Sequence, residues 1–342
     1  MDGAGRNYVH GYDRLEHERL QDQAGTLVDL LHSDTFYGPG RRVLEAGCGV
    51  GAQTVTLARR SPEAHFTPVD ISHTSVAAAE RATEGFSNVV FRQADIFAPP
   101  FAHAAFGDVF VCFVLEHLSQ PVEALTTLAT LLRPGGTMTV VEGDHGSADF
   151  HPDSAAARAA IACQVELQRR AGGDALVGRR LYPLMVAADL ADVHVSPRIV
   201  YVDASRPALV DGFTRKTFTA MIEGVRGSAI AAGLADPAAF DTGLRDLHRT
   251  TEPDGTFCYA FFKAVGRKRS PSADQAEMRR GRSNGVRHPA RPGFAARRPH
   301  AGRCRGPGDR GGDRGGARRP APEAEPAPAA CFSGLPRQHR EV

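Results

Sequence analysis

Nine residues, Val43-Leu44-Glu45-Ala46-Gly47-Cys48-Gly49-Val50-Gly51, limit what this chain can fold into more than any other stretch. Apolar residues lead into three glycines at alternate positions. The following run, Ala52-Gln53-Thr54-Val55-Thr56-Leu57-Ala58-Arg59-Arg60, has the pattern of a helix. A buried strand that breaks into a glycine turn and then a helix lets a nucleotide-like ligand lie against bare backbone. Glycine is needed where φ is positive or where a Cβ would block close approach. The spacing is Gly-x-Gly-x-Gly rather than the Gly-x-Gly-x-x-Gly of dinucleotide folds. An acid, Glu45, stands two residues before the first glycine.

The pattern downstream alternates short apolar strands with helices, which argues for a parallel sheet. Strands are expected near 42–46, 65–69, 88–92, 107–113 and 136–142. Helices near 51–60, 72–84 and 119–132 separate most of them. Leu132-Arg133-Pro134-Gly135-Gly136 stops a helix and turns into the next strand. Residues 150–190 are Ala-rich and helical, and 207–250 are mostly helical. Two more strands, Val193 to Val202 and Phe257 to Val265, complete the pattern. The expected fold is α/β, a Rossmann-like, seven-stranded, mostly parallel sheet with one reversed edge hairpin. Residues 1–40 would form a helical N-terminal lid and 41–266 the main domain. The helical insertion at about 150–190 would roof the site.

Charge divides the chain. Residues 267–342 carry 18 basic and 7 acidic side chains, whereas 1–266 carry 23 basic and 32 acidic. An acidic globule gives no reason to expect nucleic acid on the folded part. The Arg/Gly/Pro/Ala-rich tail from Arg267 lacks the apolar pattern needed to offset chain entropy and reads as disordered. Its run Arg310-Gly311-Gly312-Asp313-Arg314-Gly315-Gly316 is either an RNA-binding segment or an extension without function. The run has no aromatic side chain for base stacking, which favours the second reading. The six cysteines, at 48, 112, 163, 258, 304 and 331, form no Cys-x-x-Cys pair, so neither a disulfide framework nor a metal site is expected. The N-terminus has no apolar core of a signal peptide, and no apolar stretch reaches membrane-spanning length. A cytoplasmic location, a small-molecule partner and no membrane association follow as expectations. Homodimerisation is left open.

Acids recur where strands should end. Asp70, in Pro68-Val69-Asp70-Ile71-Ser72, lies 25 residues after Glu45. An acid at the end of a second strand can accept from both hydroxyls of a ribose; it can also cap the next helix. Asp95, in Gln93-Ala94-Asp95-Ile96, lies in the loop after strand three. There it either meets an adenine amine or makes a turn. The fourth strand ends in Phe113-Val114-Leu115-Glu116-His117-Leu118, and the fifth in Glu142-Gly143-Asp144-His145-Gly146.

Taken in order, V-L-E-x-G-C-G-x-G, V-D-I-S, Q-A-D-I, V-L-E-H-L and L-L-R-P-G-G resemble the motif series of class I S-adenosylmethionine (SAM) methyltransferases. The likeness is to the type 11/type 25 branch that acts on small molecules. The resemblance implies SAM as cofactor. It implies Glu45, Gly47, Cys48, Gly49, Gly51 and Gln53 at the methionine end, with Phe113 nearby. It further implies Asp70 and Ile71 at the ribose, and Asp95 and Ile96 at the adenine. The segments Tyr8-Val9-His10-Gly11-Tyr12 and Arg19-Leu20-Gln21-Asp22-Gln23 are similar to microbial secondary-metabolite enzymes, among them indole C3-methyltransferases and fungal dithiol S-methyltransferases. There an N-terminal segment closes over cofactor and substrate, a role this implies for Tyr8, Tyr12 and Gln23.

Methyl transfer from a sulfonium needs alignment and exclusion of water, and a base only where the acceptor starts protonated. The candidates for that base are His145, His117, Glu116 and Asp144. Tyr182 and Met185, with Phe213 and Phe218, are candidates to line an acceptor pocket. No histidine–aspartate metal cluster is present in the pattern. Competing readings are an isoprenoid-quinone C-methyltransferase, a nicotinamide oxidoreductase, a non-catalytic binding module, and an RNA-modifying protein guided by the basic tail.

Overall fold

A computed structural model describes residues 25–270. Residues 25–32 are helical (α1). They lead into β1 (Arg42–Ala46), α2 (Ala52–Arg60), β2 (His65–Asp70), α3 (His73–Ala82), β3 (Arg92–Gln93) and β4 (Phe106–Cys112). Then follow α4 (Pro121–Leu131), β5 (Leu132–Gly143), β6 (Asp149–His151), α5 (Ala155–Arg170), α6 (Leu181–Ala187) and β7 (Leu190–Val202). The last stretch is α7 (Pro207–Leu209), a π-helix (Val210–Thr219), α8 (Ala220–Gly224), α9 (Arg226–Ala231), α10 (Pro237–Arg249) and β8 (Thr256–Lys268). Single turns of 3₁₀ helix cover Leu115–His117, His145–Ser147 and Val177–Arg180.

The sheet runs β3-β2-β1-β4-β5-β8. The first five strands are parallel, and β8 is antiparallel to both β5 and β7. This is the Rossmann-like α/β sheet the sequence leads one to expect, with a long reversed hairpin at one edge. Among the described residues it has eight strands rather than seven. The extra one, β6, pairs with Thr256–Cys258 at the start of β8, and Phe150 stacks on Phe257 there with ring centroids 6.2 Å apart. The strand expected near 88–92 shrinks to Arg92–Gln93 plus one bridge from Val89 to Phe66.

Side chains alternate across each strand. Val43, Phe66, Phe110, Cys112, Val141, Tyr259 and Phe261 face α1, α2, α5 and the π-helix. Leu44, Val69, Val109, Val111, Met138 and Val140 face α4 and α6. The expected insertion is therefore not one roof. Its helices α5 and α6 are separated by a turn through Gly172 and Gly173 and pack on opposite faces.

Gly51 ends the glycine turn at φ 79°, and a Cβ there would come within 2.9 Å of Ala79 in α3. Two penalties coincide, a left-handed backbone and a clash with a buried helix. Gly51→Ala should lower unfolding free energy by about 1–3 kcal/mol or more, read as a lower midpoint in urea. Full parental stability in that variant would contradict the packing of α3 against the turn.

Candidate functional site

The turn after β1 passes through Gly47, Gly49 and Gly51 at φ 74°, 52° and 79°. The amides of Gly47 and Cys48 both donate to the Val69 carbonyl, at 2.8 and 2.9 Å. The Gly49 amide donates to Asp70 Oδ2, and the Ser72 amide to Asp70 Oδ1, each at 2.9 Å. The hairpin is thus stitched to the end of β2. Burial raises the Asp70 carboxyl, opposed by the Ser72 and Gly49 amides. Each oxygen keeps a further accepting site, so Asp70 can hold the hairpin and still receive a diol. Among the described residues, a Cβ on Gly49 would meet nothing within 4 Å, so they leave this face of the hairpin open. Next along the same edge, Ile71 is 53% exposed, an uncovered apolar surface beside Asp70. Ile96 is buried, and Asp95 closes its own turn by accepting from the Phe97 amide at 2.9 Å.

Glu45 lies beneath the hairpin at 2% exposure, and its Oε2 accepts from Thr54 Oγ1 at 2.7 Å. Burial pushes its carboxyl up to about 8, against the Thr54 hydrogen bond and with help from the Asp70 charge. Gln53 Oε1 lies 2.7 Å from His32 Nε2 and so joins α2 to α1. Burial takes His32 down to about 4, which keeps that ring neutral. Cys48 is buried in the turn, and burial raises its thiol. Phe113 follows β4 at φ 56°, its ring 5.7 Å from that of Phe261.

Beyond β4 and β5 a second group of polar side chains gathers. Glu142 is fully buried, and its Oε1 accepts from the Val114 and Leu115 amides at 2.9 and 2.7 Å. Burial and the nearby Glu116 charge push Glu142 well above the usual carboxylate range. Glu116 goes the other way. Burial opposes its charge, but His117, His145 and Gln168 hold it well below that range. Its oxygens lie 3.4 Å from His145 Nε2 and 3.6 Å from His117 Nε2, and Gln168 Nε2 donates to Oε2 at 3.2 Å. Two adjacent buried carboxylates cannot both ionise cheaply, and the two imidazoles decide which one does. The other nitrogen of His145, Nδ1, lies 3.0 Å from the Tyr259 hydroxyl.

The structure brings Glu116, His117 and His145 together. Asp144 drops out as a base, because Arg179 binds it at 2.6 and 2.7 Å and the Gly146 amide also donates to it. The four pocket candidates do not share a pocket. Phe213 and Phe218 are buried against Phe257 and Tyr259 on one face, whereas Met185 lies in the core on the other and Tyr182 points to solvent at 57% exposure. Strand alternation is the reason, since α6 belongs to the α4 side. Tyr8, Tyr12 and Gln23 lie outside the described residues. Sequence reasoning missed Tyr259, Gln168 and Arg179. An aromatic run in a C-terminal strand carries no signal of what its one hydroxyl will meet. Among the described residues, no group of three or more His, Cys, Asp or Glu could hold a metal ion, and no helix is long and apolar enough to cross a membrane.

Residues 43–136 match the family model described as a methyltransferase domain. A protein of transposon TN4556 from Streptomyces fradiae, uncharacterized, is 32% identical over 54% of this chain and 54% of its own length. The chain thus spans about half the length of that relative. Methyltransferase str2 of Strobilurus tenacellus is 24% identical over 75% of this chain and 95% of its own. Among solved structures, phosphoethanolamine N-methyltransferase 2 of Haemonchus contortus in complex with SAM overlays with a TM-score of 0.45 at 14% identity, covering 73% of this chain and 53% of that one.

Burial holds the Glu45 carboxyl at about 8 in the fold, up from 4.5 in the exposed chain. The folded chain therefore holds a proton that the unfolded chain releases. The stability this contributes is fully present below pH 4.5 and is lost as pH rises to about 8. Glu45→Gln removes the titration. The variant should gain on the parent across that window and hold a constant lead above it, in urea unfolding without ligand. A constant difference at every pH would assign an ordinary, ionised carboxyl to Glu45.

Proposed function

We propose that this chain is a SAM-dependent methyltransferase acting on a small, aromatic or apolar metabolite of secondary metabolism. The observation that carries the reading is the hairpin of three glycines stitched to Asp70, left open on its outer face by the described residues, with a protonated acid beneath it. The match of residues 43–136 to a methyltransferase domain supports the same chemistry. The site's residues fit the cofactor. Asp70 has accepting capacity left for a ribose diol, and exposed Ile71 offers an apolar surface to adenine. Glu45 lies at the methionine end and takes the ligand's ammonium as a counter-charge.

When bound, SAM supplies a methyl group already activated on a sulfonium. The protein's part is mainly geometric. Backbone amides of the hairpin hold the donor without side-chain reorganisation, and the ends of β4 and β5 present the acceptor side. The aromatic wall of Phe213, Phe218 and Phe261 keeps water away from that side. Anionic acceptors are disfavoured, because Glu116 is ionised there and Arg179 is neutralised by Asp144.

Calorimetry with S-adenosylhomocysteine should show one site. Asp70→Ala should weaken it about 10- to 100-fold through loss of charged hydrogen bonds. Binding near neutral pH should release a proton from Glu45, read as a heat that changes with the buffer's ionisation enthalpy. Methyl-labelled SAM offered with indole, phenol, aniline, thiophenol and a short-chain quinol should label one class. No affinity for S-adenosylhomocysteine would end this reading.

A further inference from the structure

Three side chains from three separate elements meet beyond the end of β5. Glu116 comes from the turn after β4, His145 from the turn after β5, and Tyr259 from the reversed strand β8. Both ring nitrogens of His145 are engaged, Nε2 toward Glu116 Oε2 at 3.4 Å and Nδ1 toward the Tyr259 hydroxyl at 3.0 Å. Glu116 Oε2 already accepts from Gln168 Nε2, so a lone pair on His145 Nε2 would face another acceptor. The neutral ring therefore keeps its proton on Nε2 and accepts at Nδ1. Among the described residues, the hydroxyl that meets Nδ1 is that of Tyr259. A proton that these residues deliver to Nδ1 therefore comes through that phenol.

We propose that Tyr259, His145 and Glu116 form a proton relay for the acceptor, in which Tyr259 is the residue that touches the acceptor and His145 is the final base. This rests on the methyltransferase reading above. In the transfer step the acceptor atom X forms a bond to the methyl carbon while the carbon–sulfur bond breaks, its electron pair going to sulfur. The X–H proton passes to the Tyr259 oxygen as the phenolic proton passes to His145 Nδ1. The imidazolium then faces the Glu116 carboxylate, and once the product has left the Nδ1 proton returns through Tyr259 to solvent, which restores the Nε2–H ring. Only an acceptor bearing a proton on its reacting atom needs this route, so the relay selects phenol, indole, aniline or thiol acceptors over tertiary amines and thioethers.

The surroundings suit the role. The Tyr259 hydroxyl fills the place that a Cβ on residue 143 would take, so Gly143 is what lets it reach the end of β5. Its ring is fixed by Phe213, Phe218 and Phe261, with centroids 5.8, 5.5 and 4.7 Å away. Burial and the charges of Glu116 and Asp144 keep the phenol protonated, while the Asp144 amide favours its oxygen as it gains charge. Tyr259 thus passes a proton on without resting as a phenolate. Gln168, itself bonded to Gln164, donates to Glu116 and fixes the carboxylate. The charged and titratable groups facing the relay are Glu116 and His117 from the turn after β4, and Glu142, Asp144 and its partner Arg179 around the end of β5.

Nitrogen-15 NMR of the full chain tests the geometry without any ligand. His145 should show the Nε2–H tautomer, and Tyr259→Phe should move the Nδ1 resonance as its hydrogen bond is lost. An Nδ1–H tautomer, or resonances indifferent to Tyr259→Phe, would overturn the relay. Kinetics test its use with whichever acceptor is labelled above. Tyr259→Phe should lower kcat about 10²-fold, with affinity for S-adenosylhomocysteine unchanged. Glu116→Gln should lower kcat, as the imidazolium formed in the step loses its counter-charge, with affinity for S-adenosylhomocysteine unchanged. Full kcat in Tyr259→Phe, or an acidic limb lost in His117→Ala but kept in His145→Gln, would assign the proton elsewhere. Loss of S-adenosylhomocysteine binding in the parent protein is a failure of the methyltransferase reading, which the NMR result does not share.

Discussion

One carbonyl and one carboxylate at the end of β2 satisfy three successive amides of the glycine hairpin. The rest of the site depends on that arrangement. Buried amides must find acceptors, and here Val69 and Asp70 supply them, so the turn cannot drift relative to the second strand. The turn in turn fixes where α2 begins and how closely α3 approaches, since Gly51 lies against Ala79. Positive φ at all three glycines makes the geometry available at little steric cost.

Acidic side chains along this edge have different fates, and environment alone separates them. Glu45 and Glu142 are buried with partners too weak to keep them charged. Asp70 is raised by burial but tied down by amides. Glu116 is held ionised, because two imidazoles and an amide surround it. The site therefore carries its negative charge on the acceptor side, near the histidines, and keeps the methionine end neutral until a cation arrives.

The reversed strand β8 ties distant parts together. Tyr259 reaches the end of β5, and four residues later, on the same face of the strand, Lys263 reaches the segment after α1. There its Nζ donates to Asp34 Oδ1 and Thr35 Oγ1, at 2.6 and 2.7 Å. Burial lowers the Lys263 ammonium, but Asp34 supports its charge. The link anchors the segment after α1 to the sheet. A thirteen-residue strand with partners on both edges is rigid enough to fix the Tyr259 hydroxyl.

The alternation of strands and helices, the glycine spacing and the acids Glu45 and Asp70 were all legible in the sequence, because they depend on local chain geometry. Strand periodicity is a property of neighbouring residues, and a turn with positive φ declares itself by glycine. The same text named Glu116, His117 and His145, since each follows a strand on the ligand side. It could not say that Arg179 would bind Asp144, that α6 would carry Met185 to the opposite face, or that Tyr259 would meet His145. Those pairings join residues 35 to 114 positions apart. They depend on which strands lie side by side and which way each side chain faces. Sequence periodicity sets the second within a strand, but only the assembled sheet sets the first.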